Sequence, residues 1–369
     1  MVTDKELHSD LPIPPGEYLE EVLETLGMSK AELARRMGRP ATKISAIFKG
    51  EKTITPETAM QLEKVVGVPA NIWLGLESEF RLALAQQSEA KQIAEEIKLL
   101  TPFCYSELAK LHSVKKLSSR KEKVRELQRF FGVAALDSVL QVRRYQAAFR
   151  VGRGGAAPTK PHAVASWLRM GELHARGMSC EPFHKSKLKT SVGKIRAMTL
   201  QTPERFQADL TALLAKCGVA LVIAPHFPGT KAHGATFWLD CDKAVLMMTI
   251  RGHWADIFWF SLFHELGHIL LHGQRDVFIE DDAVSRNQEQ QEEEANTFAR
   301  DQLIHPSAYD GFVEVGNFYP EGIAAFARKI GIDAGIVVGR LQHDKYLHPE
   351  WGNKLRTRYM WAEEAEDEA

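Results

Sequence analysis

Phe260-Ser261-Leu262-Phe263-His264-Glu265-Leu266-Gly267-His268-Ile269-Leu270-Leu271-His272-Gly273 is the stretch on which the reading of this chain turns. Its pattern is that of a helix apolar on almost every side, with Phe260, Leu262, Phe263, Leu266, Ile269, Leu270 and Leu271 available for burial. Two histidines and a glutamate are costly to bury in such a helix without a purpose. His264 and His268 stand four residues apart, one turn along the same side. Two imidazoles so placed converge on one tetrahedral metal ion at about 2.0–2.1 Å each. Glu265, beside the first histidine, is positioned to take a proton from water whose pKa a metal ion lowers to about 7. The stretch therefore predicts a buried helix with a zinc-type hydrolytic centre: His264 and His268 as ligands, Glu265 as general base.

A third protein ligand must come from elsewhere. A glycine and a histidine further along the same segment would complete a three-histidine set, but those positions hold Leu271 and Gln274. Three histidines in a straight helical row cannot all reach one ion. His272 thus reads as an outer partner of the ligands or as a surface residue, the former preferred. The helix predicted from about Gln290 to Ile304 is the better source. Its apolar face is Ala295, Phe298, Ala299 and Leu303. At about 100° per residue, Glu292 lies on that face, Glu294 on its edge and Glu293 opposite. Glu292 is the first choice of ligand and Glu294 the second. Asn296, four residues after Glu292, is placed to hydrogen-bond a ligand histidine. Two imidazoles and a carboxylate suit Zn2+, while Mn2+ or Fe2+ would accept the same donors.

The first 80 residues carry a different signal. Pro14-Pro15-Gly16 opens an amphipathic helix with Tyr18, Leu19, Val22, Leu23 and Leu26 on one face, closed by Gly27. Ser29 and Glu32 have capping-box spacing and start a helix to Met37. A further helix runs from about Ala41 to Phe48, a fourth starts at Thr55-Pro56 and ends near Gly67, and a fifth holds Trp73, Leu76, Phe80 and Leu84. The second and third of these, separated by Gly38-Arg39-Pro40, have helix-turn-helix spacing, with Leu33, Ala34, Ile44 and Ile47 as internal contacts. From Lys30 to Lys52 there are seven basic and two acidic residues, a local charge of +5 in a chain whose net charge is −1. Charge concentrated in this way suits phosphate contact. Arg39, Thr42, Lys43, Ser45 and Ala46 are expected at the major groove of double-stranded DNA, and Lys49 on a phosphate.

Between these regions the chain is long, polar and helical in pattern, with a loop expected at Gly152–Pro158. From Thr202-Pro203 a helix to about Lys216 precedes apolar runs at 219–224, 235–239 and 244–249 that read as short strands. Two more helices are expected at Ile323–Ile330 and Ile336–Leu341, then a disordered acidic tail from Glu363. The expected class is mainly α with a small β-sheet (α+β). The expected division is 1–85, a DNA-binding helical bundle; 86–200, a helical connector; 201–345, the metal domain; and 346–369, an acidic tail. The chain has 369 residues, 26% of them charged, with four scattered cysteines. No signal peptide, membrane span or CxxC pair is apparent, so a cytoplasmic protein with reduced thiols is expected.

Residues about 202–345 resemble the ImmA/IrrE family of metallo-endopeptidases, in Phe260–His272, in Glu292-x-x-Ala295-Asn296-x-Phe298-Ala299 and in the later Ala327–Ile332 and Val338–Leu341. One departure is Ile304-His305-Pro306, where such proteins commonly read Leu-Met-Pro. The resemblance implies a gluzincin-like fold, ligands His264, His268 and Glu292, Glu265 as base, and limited cleavage of a transcriptional regulator. For the oxyanion stabiliser His233, His253 and Tyr309 are candidates. Residues 14–84 resemble the XRE-type domain of HigA antitoxins, in Pro14–Leu19, Thr55–Ala59 and Val68–Leu74. That resemblance implies operator binding as a homodimer and neutralisation of a partner toxin. The combined expectation is a regulator that carries out or responds to regulated proteolysis of a repressor. The other reading is a HigA-like antitoxin and autorepressor with a non-catalytic metal module.

Overall fold

Helix punctuation builds the N-terminal part. Pro15 starts α1 (Pro15–Thr25), which buries Leu19 and Leu23 one turn apart. Ser29 caps α2 (Lys30–Arg36), its hydroxyl accepting the Glu32 amide at 3.2 Å. Only this half of the expected capping box forms: the Glu32 carboxylate takes Arg36 Nε at 2.8 Å and Arg35 at 2.6 Å instead. α3 spans Ala41–Phe48, and α4 (Pro56–Val66) is capped by Thr55 and closed by Gly67 in the left-handed conformation at φ 78°. α5 (Ala70–Glu96) runs for 27 residues, well past Leu84. Leu19, Leu23, Leu33, Ala34, Ile44, Ile47, Leu62 and Trp73 form one core. Glu77, a buried acid, accepts the Ile54 amide and Arg81 Nε, tying α5 to the loop after α3.

The computed structural model describes residues 11–142, 145, 160–230, 232–273 and 283–361, with backbone alone for 283–288. It divides into two units, Met1–Ile97 and Lys98–Ala369. This differs from the expected division: 98–200 falls in the same unit as the helix of His264 and His268. The reason is packing. α6 (Tyr105–Lys110) and α7 (Arg120–Phe131) precede α8 (Pro161–Gly177), which buries Ala163, Ala165, Trp167, Met170 and Gly171 along its length. α8 contacts all three strands, and a Cβ on Gly171 would overlap the side chain of Met247. The expected loop at Gly152–Pro158 and the acidic stretch from Glu363 lie outside the described residues.

α9 (Lys185–Ala197) and α10 (Pro203–Ala215) lead into β1 (Val219–Ile223), β2 (Gly234–Asp240) and β3 (Lys243–Met248). The order is β1-β3-β2, with β1 parallel and β2 antiparallel to β3. β3 reads as a continuous apolar run because both of its faces are covered. Leu246 and Met248 join the core around α11 (Ala255–Leu271), while Met247 meets α8. α12 (Ala283–Leu303), α13 (Pro306–Val315), α14 (Pro320–Ile330) and α15 (Ala334–His343) complete the unit. The fold is mainly α with a small sheet, as expected.

Residues beyond 345 do not start a separate tail at once. The Ala255 amide donates to the Thr357 carbonyl at 3.0 Å, and Trp259 Nε1 donates to the Tyr359 hydroxyl at 2.9 Å. Arg356 holds Asp256 of the first turn of α11 with two bonds, at 3.0 and 2.8 Å. This segment clamps the start of α11. No helix among the described residues is long and apolar enough to cross a membrane.

Candidate metal centre and helix-turn-helix surface

Gly267 decides how closely α11 and α12 approach. A Cβ there would stand 3.2 Å from Ala295 Cα and 3.2 Å from Phe298 Cδ1, so the two backbones meet where any larger residue would push them apart. That approach delivers Glu292 to the histidines. His264 Nε2 lies 3.0 Å from His268 Nε2, and the Glu292 carboxylate lies 3.2 Å from the first and 3.5 Å from the second. An ion bonded at about 2.0–2.1 Å to three corners of a tetrahedron spaces its ligands roughly 3.3 Å apart. The observed triangle has that size. Glu294, the second choice of ligand, lies instead against His272 at 3.0 Å, and Glu293 is exposed.

Electrostatics fit a cation at this point. Burial works against a charged His264, yet its hydrogen bond to Glu292 and the charges of Glu265 and Glu292 prevail and raise its pKa. Hydrogen bonds from His264 and His268 hold the Glu292 carboxyl far below the usual carboxylate range. A shared proton or a metal ion satisfies such a set of electron-pair donors. The outer nitrogens are partnered too: His264 Nδ1 lies 3.0 Å from Asn296 Oδ1, and His268 Nδ1 lies 3.0 Å from His272 Nδ1.

Glu265 is 8% exposed, and burial raises its pKa. Its Oε2 accepts a 2.7 Å hydrogen bond from the Thr236 hydroxyl, and Gly234 leaves it room: a Cβ there would come within 2.8 Å of Glu265 Cγ. Sequence reasoning missed Thr236, because nothing in the pattern of β2 shows which strand crosses the metal helix. Two of the three oxyanion candidates, His253 and Tyr309, are engaged elsewhere. His233 stands in the bend just before β2, and its Nδ1 is buried with no hydrogen-bond partner among the described residues. The His253 ring meets the Tyr359 carbonyl at the far end of α11, and the Tyr309 hydroxyl donates to Asp344 at 2.8 Å.

In the first unit, Thr42, Lys43, Ser45 and Lys49 are exposed on α3, and Ala46 is half-buried. Arg39 is held back. Its Nε donates to Gln61 at 2.6 Å, its guanidinium pairs with Glu57 at 3.5 Å, and its side chain is only 17% exposed. Lys30 pairs with Glu20, and Arg35 and Arg36 with Glu32. Four of the seven basic residues thus already face an acid. Lys43, Lys49 and Lys52 have no ion-pair partner among the described residues, so the unpaired positive charge sits on α3 and the turn that follows it.

Comparison with known proteins matches both regions. A peptidase-family model described as an IrrE N-terminal-like domain matches residues 253–315, and a helix-turn-helix model matches 19–73. An uncharacterized HTH-type transcriptional regulator, YddM, of Escherichia coli is 34% identical over 74 residues, which is 20% of this chain and 79% of that protein. The virulence-associated protein I of Dichelobacter nodosus is 33% identical over 78 residues, 21% of this chain and 72% of its own. Among solved structures, a HigA-family addiction module antidote protein from Coxiella burnetii is 35% identical, with coverage of 23% and 94% and a TM-score of 0.21. The Pseudomonas aeruginosa antitoxin HigA with the higBA promoter is 34% identical, with coverage of 23% and 95% and a TM-score of 0.22. The chain therefore belongs to the helix-turn-helix family of transcriptional regulators through its first unit, and its second unit carries an IrrE N-terminal-like domain of a peptidase family.

Proposed function

We propose that this chain is a cytoplasmic, DNA-binding transcriptional regulator whose second unit is a zinc metallo-endopeptidase acting on a repressor. The observation that carries the catalytic half is a buried Glu265, fixed by Thr236, beside three converging ligand side chains. A purely structural metal site has no need of that carboxylate. His264, His268 and Glu292 would hold the ion. When bound, zinc supplies a Lewis acid and a water ionising near pH 7. Glu265 would take one proton from the attacking water as the C–O bond forms, and then return it to the amide nitrogen as the C–N bond breaks. Thr236 holds one carboxylate oxygen, leaving the other for the proton. β2 is an edge strand, and its residues Gly234 and Thr236 touch the base. An extended polypeptide adding to that edge would present its backbone to the site.

On the DNA side, Thr42, Ser45 and Lys43 read base edges and phosphates of an operator from α3, with Lys49 at its end. Arg39 supports them through Gln61 and Glu57. Binding as a homodimer would double the contact. The resemblance of residues 14–84 to HigA antitoxins favours a second reading, an autorepressor that also neutralises a toxin, with the metal unit as a partner-binding module.

Glu265→Gln separates the two. The zinc-loaded full chain is incubated alone and with candidate repressor proteins, and products are read by mass spectrometry. The expected result is limited cleavage by wild type, none by Glu265→Gln, and equal metal content in both. Identical products, or none from either, would leave the antitoxin reading standing.

A further inference from the structure

We propose that His272 and Glu294 form an orienting relay for His268, so that the carboxylate of one helix fixes the metal-binding imidazole of the other through a second imidazole. The proposal rests on the metal reading of the His264–His268–Glu292 set.

Three contacts lie in series. His268 Nδ1 is 3.0 Å from His272 Nδ1, His272 Nε2 is 3.0 Å from Glu294 Oε2, and Gln290 Nε2 donates to Glu294 Oε1 at 2.8 Å. One assignment of protons gives every atom a single role. His268 must offer Nε2 as a lone pair to an ion, so its proton is on Nδ1. That proton is donated to Nδ1 of His272, which must then carry its own proton on Nε2. Glu294 accepts it. The chain of donors leaves no atom unused and excludes the other neutral tautomer of either ring.

The spacing explains why a third histidine sits where it cannot bind the ion. His264, His268 and His272 follow one another by single turns. The first two face each other through Nε2, while the third meets His268 from behind through Nδ1. His264 has its own partner in Asn296. Each ligand imidazole is therefore held from α12: His264 directly by an amide, His268 at one remove by a carboxylate. Exposure rises from His272 to Glu294. The His272 side chain is 9% exposed, whereas that of Glu294 is 46% exposed. The relay thus runs from the His268 imidazole through a nearly buried His272 to an acid at the surface. An imidazole whose outer N–H is engaged is a better-oriented and more basic ligand, and outer partners of this kind contribute about 10–100-fold to metal affinity. His272 and Glu294 are positioning residues and touch neither ion nor substrate.

The test is zinc affinity of the full chain, by competition with a chromophoric chelator, and the visible absorption of the Co2+-loaded chain, which reports ligand geometry. His272→Ala is expected to weaken zinc binding by about 10–100-fold and to alter the Co2+ band. Glu294→Gln keeps an acceptor oxygen but not the charge, and is expected to weaken binding by less. Glu293→Gln removes the same charge from an exposed neighbour and is expected to leave both readouts unchanged. Far-UV circular dichroism checks folding; should His272→Ala fail it, the comparison of Glu294→Gln with Glu293→Gln decides. His272→Ala within about twofold of wild type with the same Co2+ band would overturn the relay, as would equal behaviour of the two glutamine variants. A wild-type chain that takes up neither ion overturns the metal reading itself, a distinct result.

Discussion

Arg356→Ala strands a carboxylate inside the second unit. Arg356 Nε and Nη2 donate to the two oxygens of Asp256 at 3.0 and 2.8 Å, and the side chains are 10% and 8% exposed. The guanidinium also lies 4.2 Å from the Trp254 ring. Burial raises the Asp256 pKa even with Arg356 pulling it down. Removing one partner of a buried pair costs about 3–5 kcal/mol, because the remaining charge is left uncompensated. At roughly 2–4 °C per kcal/mol for a unit of this size, Tm should fall by about 6–20 °C at neutral pH. The pH dependence has a definite sign. An acid whose folded pKa lies above its unfolded value contributes stability at low pH that is lost as pH rises through the folded pKa. Without Arg356 that pKa climbs further. The deficit of the variant relative to wild type should therefore be largest at neutral pH and shrink as the medium is acidified and Asp256 takes its proton. Thermal unfolding of the full chain, followed by circular dichroism across that range, measures both. Pairing Arg356→Ala with Asp256→Asn should recover much of the loss. A neutral-pH deficit below about 1 kcal/mol, or a double variant no better than the single, would refute the assignment of the clamp.

Two further outcomes follow from close contacts. Lys43→Ala should weaken binding to duplex DNA about equally across sequences and take roughly one unit from the salt slope, as measured by fluorescence anisotropy at several salt concentrations. An unchanged slope would remove Lys43 from the interface. Gly267→Val places a branched side chain against Ala295 and Phe298, which should cost about 1–3 kcal/mol in denaturant unfolding and lower zinc affinity by spreading α11 from α12. Unchanged zinc affinity would show that the helices need not touch there for Glu292 to reach.

How much of this was legible from residues alone depends on the range of each interaction. His264 and His268 could be paired because a helix fixes what stands four residues on. Glu292 could be ranked above Glu294 because the apolar stripe of the later helix fixes its inner face. The same periodicity named Asn296 as an outer partner, and caps such as Ser29 and Thr55 located helix starts. Closure between elements was not legible. Thr236 meets Glu265 only because β2 crosses α11, and Arg356 meets Asp256 across a separation of 100 residues. Arg39 looked like a groove contact by position, yet Gln61 on α4 draws it inward. The residues read as a connector belong to the metal unit because Gly171 accepts Met247 of the sheet, a fit no periodicity announces.

That contrast bears on how the proposed metal centre would be built. Both histidines proposed as ligands come from one helix, so their mutual geometry is set locally as soon as α11 forms. The remaining ligand and both outer supports come from α12, through Glu292, Glu294 and Asn296. On the proposed reading metal binding would report whether these two helices are docked, and Gly267 sits at the point where they touch. A perturbation that spreads them removes one ligand and the orientation of the other two together. One that only truncates His272 should loosen His268 and leave His264 and Glu292 in place. The graded loss of affinity from Glu294→Gln through His272→Ala to Gly267→Val is the signature expected of a site whose acid ligand is delivered by packing rather than by local sequence.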